Sequence, residues 1–228
     1  MPLPAVRDEL QGIVRTAASP AGLLPGSIKL DEAFGRQQFE DALRAQNNVV
    51  HVASHFDFRP GDEGRSVLLM GRGDEKLSLG QLAAMDFSKV DLLTLSACET
   101  AVGGGTSENG AEVEGLSAVV LAAKGRAVLA TLWKVADAST ASLMQAFYAA
   151  RLVAQPVSRA QALRQAQLAL LRGTTETRVA AQAPQGGARA AKVVGADEEV
   201  KGKVPVDPAR PWAHPYFWAP FVLSGNWL

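Results

Sequence analysis

The chain has 228 residues and a mass of 24.0 kDa, and its 23 basic and 23 acidic side chains cancel, giving a pI near 6.8. No basic surplus points to nucleic acid or an anionic membrane as a partner. A hydrophobic content of 47% with 20% charged residues is that of a globular protein long enough for one large α/β domain or two small ones.

The single cysteine, Cys98, excludes an intramolecular disulfide and a cysteine-rich metal site, and it fits a reducing cytoplasm. The first residues, Met1 to Leu10, lack the basic start and apolar core of a signal peptide. No uninterrupted apolar stretch approaches the ~20 residues that span a bilayer. A soluble, cytoplasmic protein is expected.

Along the chain, Asp8 to Ala17 has helical spacing, with Leu10, Ile13 and Val14 on one face. Proline and glycine between Ser19 and Gly26 break it, and Ser27 to Leu30 reads as a short strand. A helix is expected over Arg36 to Ala45, with Phe39, Ala42 and Leu43 inward. Val49 to Ala53 is apolar at nearly every position, as a strand buried on both faces would be. Ser66 to Met70 and Lys76 to Leu79, joined through Gly71 and Gly73, suggest a hairpin, and Gly80 to Met85 a short helix.

Asp91 to Ser96 is the next buried strand. Glu112 to Ala123 reads as a helix stopped by Gly125, a residue suited to the left-handed conformation. Ala127 to Trp133 is another strand, and Ala138 to Val153 and Ser158 to Leu171 are two Ala-rich helices broken at Pro156. From Gly173 to Arg210 large apolar residues are few, which predicts a long mobile insertion. Trp218 to Leu223 reads as a closing strand. Strands alternating with helices argue for a parallel sheet covered on both faces, in one domain over 1–228 interrupted by the 173–210 insertion.

Chemistry gathers at two strand exits. Cys98 lies where the run Asp91-Leu-Leu-Thr-Leu-Ser-Ala-Cys98 enters the loop Gly103 to Gly110, and the run from Val49 ends in the same way at His55. Open α/β sheets collect ligands at this edge. A thiol attacking a carbonyl needs a base and donors aimed at the developing oxyanion, so Cys98 and His55 suggest a dyad. They are 43 positions apart (98 − 55), so the pairing requires their strands to be neighbours.

His51, four residues earlier, is the rival base, though mid-strand it reads as a core histidine in need of a hydrogen-bond partner. His214, before Pro215, reads as structural. The loop Gly103 to Gly110 lacks the Gly-Lys-Ser/Thr ending of a phosphate-binding loop. Asp137, ahead of a helix, has a cap reading and a sharper one, as a carboxylate facing a cationic substrate group.

Taken together, the segments Val50 to Phe58, Leu93 to Ala101, Leu129 to Thr140, Phe147-Tyr148 and His214 to Gly225 resemble the CHAT-domain family of caspase-like cysteine peptidases. These are relatives of separases that commonly follow tetratricopeptide repeats in bacterial proteins. The resemblance implies a three-layer caspase-like α/β fold with a mostly parallel central sheet flanked by helices. It implies His55 as general base, Cys98 as nucleophile, and the backbone N–H groups of Cys98 and Phe56 as oxyanion donors.

Phe56 stands where the family often has glycine. Asp137 falls where separases bind the arginine before the scissile bond. Neither cofactor nor metal is implied. The expected partners are a protein substrate and a tetratricopeptide-repeat region or partner protein. Family members usually carry a central strand before the segment matching Leu3 to Leu10, so the usual first strand is expected to be missing here. The expected function is a cysteine endopeptidase cutting after a basic residue. The alternative is a catalytically silent interaction domain on the same fold.

Overall fold

A computed structural model describes residues 6–45, 47–57, 59, 62, 64–71, 73–96, 111–133, 135, 137–152, 157–175 and 207–228, with the backbone alone for 111–114 and 137. Its contacts divide the chain into two compact units, one of Lys29–Lys134 with Pro220–Trp227 and one of Met1–Ile28 with Val135–Ala219 and Leu228.

The first unit is built on a four-stranded sheet of β3 (Val49–Val52), β7 (Leu92–Leu95), β8 (Ala127–Thr131) and β9 (Phe221–Gly225), in that order. The first three run parallel, while β9 is antiparallel to β8, so the sheet is mixed. Every residue of β7 and β8 is buried, which explains why both are apolar apart from Thr94 and Thr131. Strand β3 lies at one edge, and among the described residues no strand pairs with its outer side.

A second, antiparallel sheet joins β4 (Phe56–Asp57), β5 (Val67–Leu69) and β6 (Lys76–Ser78). The core of this unit gathers Phe39 and Leu43 from α2 (Arg36–Arg44) with Leu77, Leu82, Phe87, Leu93, Val120 and Val128. The rings of Phe39 and Phe87 meet edge to face with centroids 6.4 Å apart, a geometry that their quadrupoles favour.

Helix α3 (Leu79–Ala83) opens with a capping box, in which Ser78 and Gln81 each satisfy the other's backbone N–H. Helix α4 (Ala111–Ala122) packs against α3 and β8. It closes with Gly125 N–H on the Val120 carbonyl and Lys124 N–H on the Leu121 carbonyl, the two bonds of a Schellman stop.

The second unit holds α1 (Val6–Ile13), α5 (Asp137–Arg151) and α6 (Arg159–Arg172), with α5 packed against both of the others. Leu143, Met144, Phe147 and Tyr148 of α5 are fully buried. Ser158 and Gln161 form a second capping box at the start of α6, and Gly173 ends it at φ +67°. Two short strands, β1 (Val14–Arg15) and β2 (Leu24–Pro25), pair in parallel in this unit.

Several elements differ from the expectation. The first helix stops at Ile13, because Val14–Arg15 turns to pair with Leu24–Pro25 and the Ile13 carbonyl takes the N–H of Leu23. Ser27 to Leu30 therefore forms no strand. At the end of α4 the left-handed residue is Lys124 (φ +71°), not Gly125; a Cβ at Gly125 would press on the carbonyl and side chain of Val120.

The closing strand is shifted to Phe221–Gly225. A 3-10 turn over Pro215–Phe217 holds the chain first, and Trp218 N–H and Ala219 N–H both donate to the Pro215 carbonyl. Helix α5 begins at Asp137 itself rather than after it. Of the expected 173–210 insertion, 176–206 lies outside the described residues.

Candidate active site

His55 does not end its strand, as the sequence suggested. Strand β3 ends at Val52, the chain bends through Ala53 and Ser54, and β4 starts at Phe56, so His55 sits in the junction between the two sheets. Two hydrogen bonds fix that junction: Ser54 Oγ donates to the Leu69 carbonyl (2.6 Å), and Leu69 N–H donates to the His55 carbonyl (2.9 Å).

Since His55 faces β5 through its backbone, alternation along the antiparallel ladder turns the Phe56 amide away from β5, toward the outer side of β4. The Phe56 ring is buried in the core at 2% exposure, so His55 and Asp57 share the opposite, half-buried face. Asp57 pairs with Arg59, Oδ1 lying 3.2 Å from Nε and Oδ2 accepting from Nη2 at 3.2 Å. Sequence reading passed over this carboxylate because β4 is too short to show a strand's alternation.

Strands β3 and β7 are adjacent and parallel, the condition that a His55–Cys98 pairing requires. Their register sets Val49 against Leu92 and continues through Val52 against Leu95, a constant offset of 43 positions (92 − 49). His55 and Cys98 are separated by the same 43 positions, each three residues past the last pair. Cys98 itself lies outside the described residues, as does the loop Gly103 to Gly110, while Asp137 is described as the first residue of α5 by its backbone alone.

The other histidines have clear surroundings. His51 pairs in register with Thr94, and its Nε2 lies 3.2 Å from Ser96 Oγ on the neighbouring strand. His214 caps the 3-10 turn, its Nδ1 accepting the N–H of Tyr216 at 3.2 Å. Among the described residues no three His, Cys, Asp or Glu side chains cluster closely enough to hold a metal ion, and no helix is long and apolar enough to cross a membrane.

The family model described as CHAT domain matches residues 1–226 of the chain. No curated protein matches it.

Proposed function

We infer that this chain, which belongs to the CHAT domain family and so to a caspase-like, peptidase-related class of domain, is a cysteine endopeptidase that cuts protein chains after a basic residue. The observation that carries this reading is the shared offset: neighbouring parallel strands paired 43 positions apart lead into a histidine and the chain's one cysteine, also 43 positions apart. If Cys98 continues the register of β7 as His55 follows β3, an imidazole and a thiol would supply a base and a nucleophile at the edge of the sheet where chemistry gathers.

In the proposed reaction His55 takes the proton of Cys98 and the thiolate attacks the scissile carbonyl. The amides of Cys98 and Phe56 receive the developing oxyanion. The Phe56 amide needs no glycine for this, because its direction is set by the ladder to β5 and not by its side chain. Collapse of the tetrahedral intermediate expels the amine, which leaves with the proton from His55, and a water deprotonated by His55 releases the acyl group. Asp137 is proposed to pair with the guanidinium of the residue before the cut. A working thiolate needs reducing surroundings, which fits a cytoplasmic site of action. A tetratricopeptide-repeat region or partner protein would present the substrate.

The test is cleavage of an unfolded protein mixture by the whole chain, read as new N-termini by mass spectrometry. Cuts after Arg or Lys are expected. Cys98→Ala should abolish them with the fold intact, a loss of about 10³-fold or more for removal of a covalent nucleophile. Equal cutting by Cys98→Ala would overturn the mechanism. No cutting by either protein would leave the silent interaction domain as the reading.

A further inference from the structure

We propose that His51 and Ser96 form a positioning pair that sets where the Cys98-bearing strand exit stands relative to β3; the proposal rests on the peptidase reading above. His51 and Ser96 lie on one face of the sheet, since His51 pairs with Thr94 and Ser96 follows Thr94 by two. The Nε2–Oγ distance is 3.2 Å, and the Ser96 side chain is buried at 6% exposure.

At the same level the Ser96 amide donates to the Val52 carbonyl at 3.0 Å. The last rung between these strands among the described residues is therefore doubled, one bond from backbone and one from side chains. Cys98 follows Ser96 by two residues, and His55 follows Val52 by three. Apolar contacts of Val50, Val52, Leu93 and Leu95 hold the strands themselves within the core. What the polar pair adds is a tie between His51 of β3 and Ser96, the residue that follows β7. A buried hydroxyl accepts few alternative geometries without losing its partner, so the bond fixes the Ser96 backbone closely.

The readout is the rate at which iodoacetamide alkylates the native protein, because a chain with one cysteine reports Cys98 alone. His51→Leu and Ser96→Ala should each slow alkylation by about tenfold, within the range for directly contacting groups, and the double variant should be no slower than the slower single one. His51→Gln, whose amide nitrogen can stand where Nε2 stands, should keep the rate within about twofold of the parent. Urea midpoints are followed alongside.

Unchanged or faster alkylation, single effects that multiply, no rescue by glutamine, or rates that merely track the urea midpoints would each overturn the pair. His55→Ala decides the underlying reading separately. If it alkylates as fast as the parent the dyad fails, whatever the two strand residues do.

Discussion

At the scale of single residues, function and stability make opposite use of backbone conformation. Lys124 sits at φ +71° so that α4 can close its last turn, with Gly125 beyond it where a side chain would press on Val120. A lysine pays conformational strain there that glycine does not. Lys124→Gly is therefore expected to raise stability by about 1 kcal/mol, seen as a higher urea midpoint with unchanged slope. The side chain is exposed, so little packing is lost.

His55 is the contrary case. Its orientation comes from neighbours: Phe56 buried on one face and Ser54 bonded to the Leu69 carbonyl force the imidazole to the other face. The residue types of the proposed site were legible from their placement after apolar runs. The Ser96 partner of His51 was not, because it depends on strand register, which one sequence does not display.

At the scale of elements, the long apolar strands and well-spaced helices were the readable part. Strands β3, β7 and β8 lie within the segments expected of them, β3 at the edge of the sheet and β7 and β8 in its middle, where burial of every residue selects a mostly apolar run. Two of the departures were decided by strand pairing that the local sequence does not show. Val14–Arg15 leaves its helix to pair with Leu24–Pro25, and Phe56–Asp57 becomes a strand only through β5.

At the start of α6 the partner is local. Ser158 caps α6, its side chain accepting from Gln161 N–H at 3.1 Å while the Gln161 side chain returns the bond to Ser158 N–H at 3.0 Å. Ser158→Ala should cost about 1 kcal/mol, measured as a lower urea midpoint. An unchanged midpoint would show that α6 is held by its packing on α5 and not by its cap.

At the scale of the whole molecule the 23 basic and 23 acidic residues balance, and pH acts on stability through individual groups. Among the described residues, four carboxylates at or near the surface are held below their usual range. Glu40 is lowered first by its hydrogen bond from Arg36, Asp62 by that from Arg65, Asp86 by the backbone N–H of Ser88, and Asp207 by the backbone N–H of Ala209. A carboxylate with a lower pKa folded than unfolded stabilises the fold above its unfolded value, and that contribution disappears as pH falls through the folded value. Urea midpoints measured from about pH 7 to about pH 3 should thus fall through the carboxylate range, and Asp86→Asn should make the decline shallower. A decline of the same steepness in that variant would remove Asp86 from the account.

The central claim is that His55 activates Cys98 for attack on a carbonyl beside a basic residue. Its most direct measurement is the intact mass of the native chain after exposure to a short peptide ending in an arginine acyloxymethyl ketone. Attack by the thiolate on the methylene carbon expels the carboxylate and leaves a stable thioether. The account predicts one adduct per chain, mapped to Cys98, formed much more slowly in His55→Ala and lost on prior unfolding. Equal labelling of the parent, the His55→Ala variant and the unfolded chain would contradict it.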